Sequence, residues 1–293
     1  MEIQGIFESY SNKMTQIHLY QDAMRNLAKK ELKALYKYEQ SLENYPDLKE
    51  LAASHQNMIF RVAKDGSHRF FGYKKSTIED KRLEVTLHKN KQYQWLLAES
   101  YERFEDFLES AYAFAGFTDN NFWPLRDYGN ISLRDIKKKP FTWFEERANK
   151  KNNTPSSIIN KFRESFPEIA HIEINNGLNI NLHLAIVLIE HLRHVIVHKG
   201  GTVSDKNDFT ERVLNKAGLY NNGNPDKNHV SFIHAHFGVG EYKNTILLLE
   251  IKTNPEVPLD TFVDIFGALS GYLMAYAHLI FESLSNTHNK HLE

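Results

Sequence analysis

One apolar helix constrains the fold of this chain more than any other feature. Residues 182–199 run without glycine or proline and end at two consecutive glycines, Gly200 and Gly201. At about 100° per residue, the apolar side chains fill one contiguous arc, which is typical of a helix packed in a core. The arc comprises Leu184, Ala185, Leu188, Ile189, Leu192, Val195 and Ile196. The pattern therefore predicts a buried central helix over residues 182–198.

The opposite side of this predicted helix carries its chemically versatile groups. They are Glu190, His191, Arg193, His194 and His198. Apolar residues lie among them, so this side is expected to form a buried polar site, a protein interface, or both. Arg193 and His198 are about 140° apart on an ideal helix. Either the last turn loosens or two copies of the helix act on one small group, and we favour two copies.

The hexapeptide Arg-His-Val-Ile-Val-His at 193–198 places an arginine five positions before a histidine, late in an apolar helix. This resembles the signature of the HEPN superfamily, small α-helical domains named for nucleotide binding in higher eukaryotes and prokaryotes. The resemblance covers about residues 93–285. It implies a HEPN-like antiparallel helical bundle. Together with the patterns of the other segments, it predicts a mainly α fold in which this bundle has an N-terminal helical extension and one or two small β-hairpin insertions.

The same resemblance implies a metal-independent endoribonuclease of the toxin or phage-defence type, without a cofactor. Attack by the RNA 2′-hydroxyl would leave 2′,3′-cyclic phosphate ends, in a cleft at a homodimer interface. His198 would be the acid–base residue, Arg193 would bind the phosphate, and His194 would assist. An imidazole with a pKa near 6.5 can donate or accept a proton, and a guanidinium stays charged and fits phosphate oxygens.

Further residues are candidates for supporting roles at this site. Glu190 and His191 lie on the same predicted helix, and Lys199 is a candidate RNA contact at its end. In HEPN-like bundles an early helix can supply an acidic residue near the cleft. Either Glu102 or Asp106 fits that description, and the sequence leaves the choice open. The expected partners are RNA, a second copy, and a separately encoded antitoxin or regulator.

A non-catalytic, HEPN-like dimeric interaction module is the first alternative function. In that case Arg193 pairs with Glu190 or another acid, and His198 only caps the helix. The chain has no Walker or Gly-x-Gly-x-x-Gly loop that would indicate a usual nucleotide site. A cellular effect that survives His198→Ala would favour this module over a nuclease.

A metal hydrolase is the second alternative. Three histidines lie at i, i+3 and i+7 on one side of the helix, a spacing compatible with zinc ligation. Two more share a predicted strand face and can add ligands. The five are His191, His194, His198, His234 and His236. The neighbouring Arg193 would repel a cation, so the preferred interpretation includes no metal ligands.

The segment before residue 76 is predicted to be a separate N-terminal part. Residues 8–43 show the spacing of a long amphipathic helix, and residues 58–73 indicate two short strands around Asp65-Gly66. Lys74 and Lys75, next to aromatic residues of the second strand, are candidate RNA contacts. The alternative is a small hairpin packed on the bundle.

Residues 76–290 are predicted to form the HEPN-like helical domain. Its β-branched and aromatic residues indicate a hairpin insertion around 229–252, with strands over 229–237 and 244–252. The final helix is expected to open at Pro258 and to run through Phe262.

Composition narrows the protein class. Lysine and arginine number 36 and the acids 37, giving a net charge of −1, so RNA contact requires a local basic patch. There is no cysteine, which excludes disulfides and thiolate metal sites. The N-terminus lacks the pattern of a signal peptide, and no apolar run approaches the ~18 residues of a membrane span. A cytoplasmic protein without membrane contact is expected, and residues 292–293 resemble a cloning scar.

Overall fold

The computed structural model describes residues 2–45, 54–151, 155–220, 224–253 and 261–290. These residues form eleven α-helices and two two-stranded antiparallel sheets, which confirms a mainly α fold with two small hairpins. The predicted scar at 292–293 lies outside them. In chain order the elements are α1 (Ile3–Ser41), β1 (Ser54–Arg61), β2 (His68–Ser76), α2 (Ile78–Thr118), α3 (Leu125–Tyr128), α4 (Leu133–Ile136), α5 (Phe141–Ala148), α6 (Ser156–Ser165), α7 (Pro167–Ile172), α8 (Leu182–Lys199), α9 (Lys206–Lys216), α10 (Lys227–His234), β3 (Glu250–Lys252), β4 (Phe262–Asp264) and α11 (Ile265–Lys290), with a 3₁₀ turn at Gly240–Tyr242.

The chain divides into two compact units. The larger comprises Met1–Leu19 and Tyr93–Glu293, and the smaller comprises Tyr20–Gln92. Helices α1 and α2 each continue from one unit into the other. The boundary predicted at residue 75/76 does not coincide with this division, because it falls between β2 and α2 inside the smaller unit.

The predicted central helix is α8, which packs against α9 and α11 in the core of the larger unit. Ten of its residues are buried, including Leu188, Ile189 and Leu192, which are inaccessible to solvent. Removing a leucine, isoleucine or phenylalanine side chain from water stabilises a fold by roughly 1.5–3 kcal/mol. This burial is what holds the site-bearing helix in place.

The start of α8 is fixed by Glu173, a carboxylate that is only 1% exposed. The Leu182 amide donates to the Glu173 carbonyl at 2.8 Å. The side chain accepts a hydrogen bond from the Tyr276 hydroxyl at 2.5 Å and forms an ion pair with Arg163 at 3.0 Å. Burial raises the pKa of Glu173, while Tyr276 and Arg163 lower it. This anchor joins the loop before α8 to α11.

Helix α11 is a long apolar helix. Its segment Ile265–Thr287, with a mean hydropathy of 1.2, passes the length and composition test for a membrane span, and no other described helix does. Half of that segment is buried inside the fold, and core helices of soluble proteins pass the same test. Its fully buried residues include Leu273, Tyr276 and Ile280.

The predicted insertion at 229–252 is wrong as a hairpin of two paired strands. Residues 227–234 form α10, which Asp226 caps by accepting from the Asn228 amide at 2.7 Å. Only residues 250–252 of the second predicted strand are in a strand, and they pair with β4. Val230 and Ile233, three positions apart, also suit a helix face, and the Asp226 cap satisfies a backbone amide at the start of this helix.

The predicted start of the final helix is also wrong. Phe262–Asp264 form β4, and α11 begins at Ile265. The Asp264 carboxylate accepts from the Gly267 amide at 2.9 Å, which caps the helix at this point. Pro258 lies outside the described residues. By contrast, the predicted hairpin around Asp65-Gly66 is confirmed as β1 and β2, paired antiparallel.

Candidate functional site

Helix α8 ends at Lys199, directly before the two glycines, as the sequence predicts. Gly200 and Gly201 adopt φ values of 66° and 87°, in the left-handed region that favours glycine. The Gly201 amide donates to the Val195 carbonyl at 3.1 Å. A Cβ on Gly201 would collide with the side-chain amide of Gln94, which would have to move to admit it. The glycines thus end the helix directly after His198 and Lys199.

Arg193 lies among carboxylates rather than in an open cleft. Its guanidinium donates to Oε1 of Glu102 on α2 at 3.2 Å, and its side chain is 28% exposed. The charge of Arg193 also acts on Glu105, as do the charges of Glu102 and Glu190. Of the two acids that the sequence left open, Glu102 is therefore the one beside Arg193.

Asp106 has different partners. Its carboxylate lies 3.6 Å from Nζ of Lys13 on α1 and 3.5 Å from Nη1 of Arg103. Four positions separate it from Glu102 on α2, but these contacts direct its side chain to α1. The structure does not bring Asp106 to the Arg193 environment.

Glu105 is the acidic residue that sequence reasoning missed. Burial, together with the smaller effects of Glu109, Glu190 and Glu102, raises its pKa to about 7 against the opposing effect of Arg193. Its position three residues after Glu102 placed it on the same helix face. Its partial burial beside α8 has no signal in the sequence, where it belongs to a run of charged residues.

His194 and His198 form an exposed imidazole pair on one side of α8. Their ring centroids are 4.7 Å apart, as the i, i+4 spacing allows. Desolvation lowers the pKa of His194, and His198, Lys199, Arg193 and Arg212 lower it further by their charge. His194 thus lies in a locally positive region of a chain whose net charge is only −1.

A cavity of about 260 Å³ adjoins this pair in the groove between α8 and α9. Its lining residues are Glu190, His191, His194, Val195, Lys199, Phe209, Arg212 and Lys216. Lys216 pairs with Glu190 at 2.5 Å, and Arg212 pairs with Asp208 at 3.0 Å. Desolvation lowers the pKa of His191, and its ring meets Phe209 edge-on at 6.1 Å. Three cations and two histidines therefore surround a space large enough for a phosphate group.

Arg193 and His198 do not line that cavity. Arg193 interacts with α2, whereas the His198 ring lies next to the His194 ring near the helix end. A single α8 therefore presents the two residues to different surroundings, as their angular separation predicts. The structure gathers Glu190, His191, His194 and Lys199 around one cavity. Glu102 and Glu105 lie elsewhere, around the Arg193 side chain.

The histidines of the metal-hydrolase alternative have other partners. His234, at the end of α10, lies 3.1 Å from the Thr210 hydroxyl, and Nδ1 of the buried His236 lies 2.9 Å from the Phe232 carbonyl. Neither lies on a strand. Across the described part of the chain, no group of three His, Asp or Glu side chains is arranged to hold one metal ion.

The remaining predicted RNA contacts, Lys74 and Lys75, are on β2 in the smaller unit. Lys74 forms an ion pair with Glu84 at 2.5 Å, whereas Lys75 is exposed to solvent. Lys75 is thus the better placed of the two for a phosphate.

Comparison with known proteins does not add a family assignment. No protein-family model matches the chain, and neither curated proteins nor solved structures give a significant match. The resemblance to the HEPN superfamily rests on residues 193–198 and their place at the end of α8.

Proposed function

We propose that this protein is a metal-independent endoribonuclease of the HEPN type, acting in toxin or phage-defence systems in the cytoplasm. The observation that carries the proposal is the exposed His194–His198 pair at the basic end of a buried helix, with Arg193 one residue before it. This end of α8 offers groups that can move protons beside groups that can hold a phosphate. A separately encoded antitoxin or regulator would control it.

The chemistry needs two proton transfers and one site of positive charge. A base removes the proton of the 2′-hydroxyl as its oxygen attacks phosphorus, and an acid protonates the 5′-oxygen as its bond to phosphorus breaks. Imidazole performs either role near neutral pH. His198 carries these transfers, and His194, whose lowered pKa favours the neutral ring, assists as a proton acceptor. Lys199, Arg212 and Lys216 supply positive charge nearby.

Two copies of the chain supply what a single α8 does not. In a twofold dimer each cleft residue occurs twice, so the dimer holds two Arg–His pairs, and in each pair His198, assisted by His194 of the same copy, carries both proton transfers. Arg193 of one copy can then meet the phosphate held at His198 of the other. The α2 carboxylates Glu102 and Glu105 would orient Arg193 until RNA arrives.

An interaction module without catalysis is the second candidate, and one observation favours it. Arg193 already has Glu102 as a partner at 3.2 Å, and the charges of Glu105 and Glu190 act around the same point. An arginine so compensated can serve as a structural link between α8 and α2. In that case RNA is not cleaved, and only a partner protein occupies the exposed end of α8.

An RNA cleavage assay distinguishes the endoribonuclease from the interaction module. We expect the wild-type protein to cleave single-stranded RNA in excess EDTA, leaving 2′,3′-cyclic phosphate and 5′-hydroxyl ends. The ends are identified by mass spectrometry and by labelling with polynucleotide kinase, with and without prior phosphatase. Cleavage that requires a divalent metal, or that leaves 5′-phosphate ends, would contradict the proposed mechanism. Stable dimers that leave every RNA intact would favour the interaction module.

A further inference from the structure

The β1–β2 hairpin of the smaller unit exposes an unusual amount of apolar surface. Six large apolar side chains on its strands are between 48% and 73% exposed. They are Met58, Ile59, Phe60, Phe70, Phe71 and Tyr73. The sequence left open whether these aromatic residues pack or face outward, and in the structure about half or more of each aromatic side chain is exposed. Clustered exposed apolar side chains of this kind indicate a binding site.

The same hairpin is strongly basic. Residues 54–76 contain Arg61, Lys64, Arg69, Lys74 and Lys75 against the single acid Asp65, a charge of +4 from five cations and one anion. With −1 for the whole chain, the remaining residues sum to −5. Asp65 is engaged, because its carboxylate accepts from the Ser67 amide at 2.9 Å. The hairpin is therefore a net positive element in a chain whose other residues are net negative.

The pairing register of β1 and β2 places an aromatic ring and a cationic side chain together on each face of the hairpin. Met58 pairs with Phe71 and Phe60 with Arg69, whereas Ile59 pairs with Phe70 and Arg61 with His68. Cross-strand partners share a face, and neighbouring pairs alternate between faces. Phe60 and Phe71 thus lie on one face, with ring centroids 5.9 Å apart, beside Arg69. Phe70 and Arg61 lie on the other face.

We infer that the β1–β2 hairpin binds single-stranded RNA, with bases stacked on its phenylalanines and phosphates held by Arg61, Arg69 and Lys75. Exposed rings accept the face of any base, and adjacent cations follow the backbone. The positive charge of the hairpin favours RNA over a protein partner, because RNA is a polyanion. Binding here does not require cleavage at α8, so this inference stands or falls apart from the proposed function.

A fluorescein-labelled 2′-O-methyl oligouridylate of about 10 nucleotides tests this surface. It lacks a free 2′-hydroxyl, so the proposed nuclease cannot cleave it. We expect the full-length protein to bind it, and Phe70→Ala with Phe71→Ala to weaken binding about 10-fold for each ring lost. Arg69→Gln with Lys75→Gln should lower the slope of log K against log salt by about 1.4. Fluorescence anisotropy measures both effects.

The matched control pair is Phe262→Ala with Arg134→Gln, an exposed aromatic on β4 and an exposed cation on α4, which should leave binding unchanged. All variants should melt at the wild-type temperature, because the substituted side chains are exposed. Wild-type affinity in the Phe70/Phe71 variant, or no binding by the wild-type protein, would overturn the inference. Wild-type affinity together with loss of an oligomer would identify the hairpin as a self-association surface instead.

Discussion

His198→Ala is expected to lower RNA cleavage by about 10³-fold, within the range observed for the loss of a general acid–base group. The substitution removes the proton carrier from both halves of the proposed cleft, whereas the phosphate-binding cations remain. His198 is exposed, so the free energy of unfolding should change little. The measurement is the initial rate of RNA cleavage in EDTA, with thermal unfolding recorded on the same samples.

His171→Ala is the matched control for His198. His171 is an exposed histidine on α7, away from the basic end of α8. The control should cleave at the wild-type rate, which excludes a general effect of histidine removal. Equal cleavage by wild type, His198→Ala and His171→Ala would assign the activity to another site or to a contaminant.

Arg163→Met should destabilise the fold by about 3 kcal/mol at pH 7, because it leaves a buried carboxylate without its cation. Glu173 is 1% exposed and meets Arg163 at 3.0 Å. A carboxyl whose folded pKa is raised gives stability at low pH, which is lost as the pH rises through that pKa. Since Arg163 lowers the pKa of Glu173, its removal raises that pKa further. The loss should therefore be smaller at pH 5 than at pH 8.

Urea unfolding at pH 5, 7 and 8 measures this dependence. Arg134→Met, at an exposed arginine of α4, is the control and should stay within about 0.5 kcal/mol of wild type. A double variant, Arg163→Met with Glu173→Gln, should be less sensitive to pH than Arg163→Met alone. A loss of equal size at every pH would contradict a charged Glu173 as the anchor of α8.

The spacing of the apolar residues and the residue types at turns and helix ends made much of the fold predictable. The apolar arc of residues 184–196 and the glycines at 200 and 201 defined α8 almost to the residue, because burial and helix termination are both local properties. The Asp65-Gly66 turn likewise located β1 and β2. In each case the residues that decide the structure are neighbours in sequence.

Elements decided by distant partners were not predictable in the same way. Residues 229–237 contain residues typical of strands, yet Asp226 caps a helix there, and Ile233 is buried in the larger unit. The β3–β4 pairing joins residues 250–252 to residues 262–264. Short apolar runs are ambiguous between helix and strand, so packing decides which forms.

In the candidate site, too, the residues on one helix were predictable, whereas those brought in by packing were not. The sequence identified Arg193, His194 and His198 because they share one helix, and the angular separation of Arg193 from His198 followed from helix geometry. It did not identify Glu105, Arg212 or Lys216, which come from α2 and α9. These residues join the site only through packing around α8, and single-sequence patterns carry no record of that packing.

Subunit mixing tests the central claim, that two copies of α8 form one ribonuclease cleft. Arg193→Ala and His198→Ala should each be inactive alone in EDTA. After subunit exchange, about half of the dimers are mixed and each retains one of two complete Arg–His pairs, so about a quarter of wild-type activity should return. A mixture that forms dimers yet stays as inactive as its parents would contradict a shared cleft.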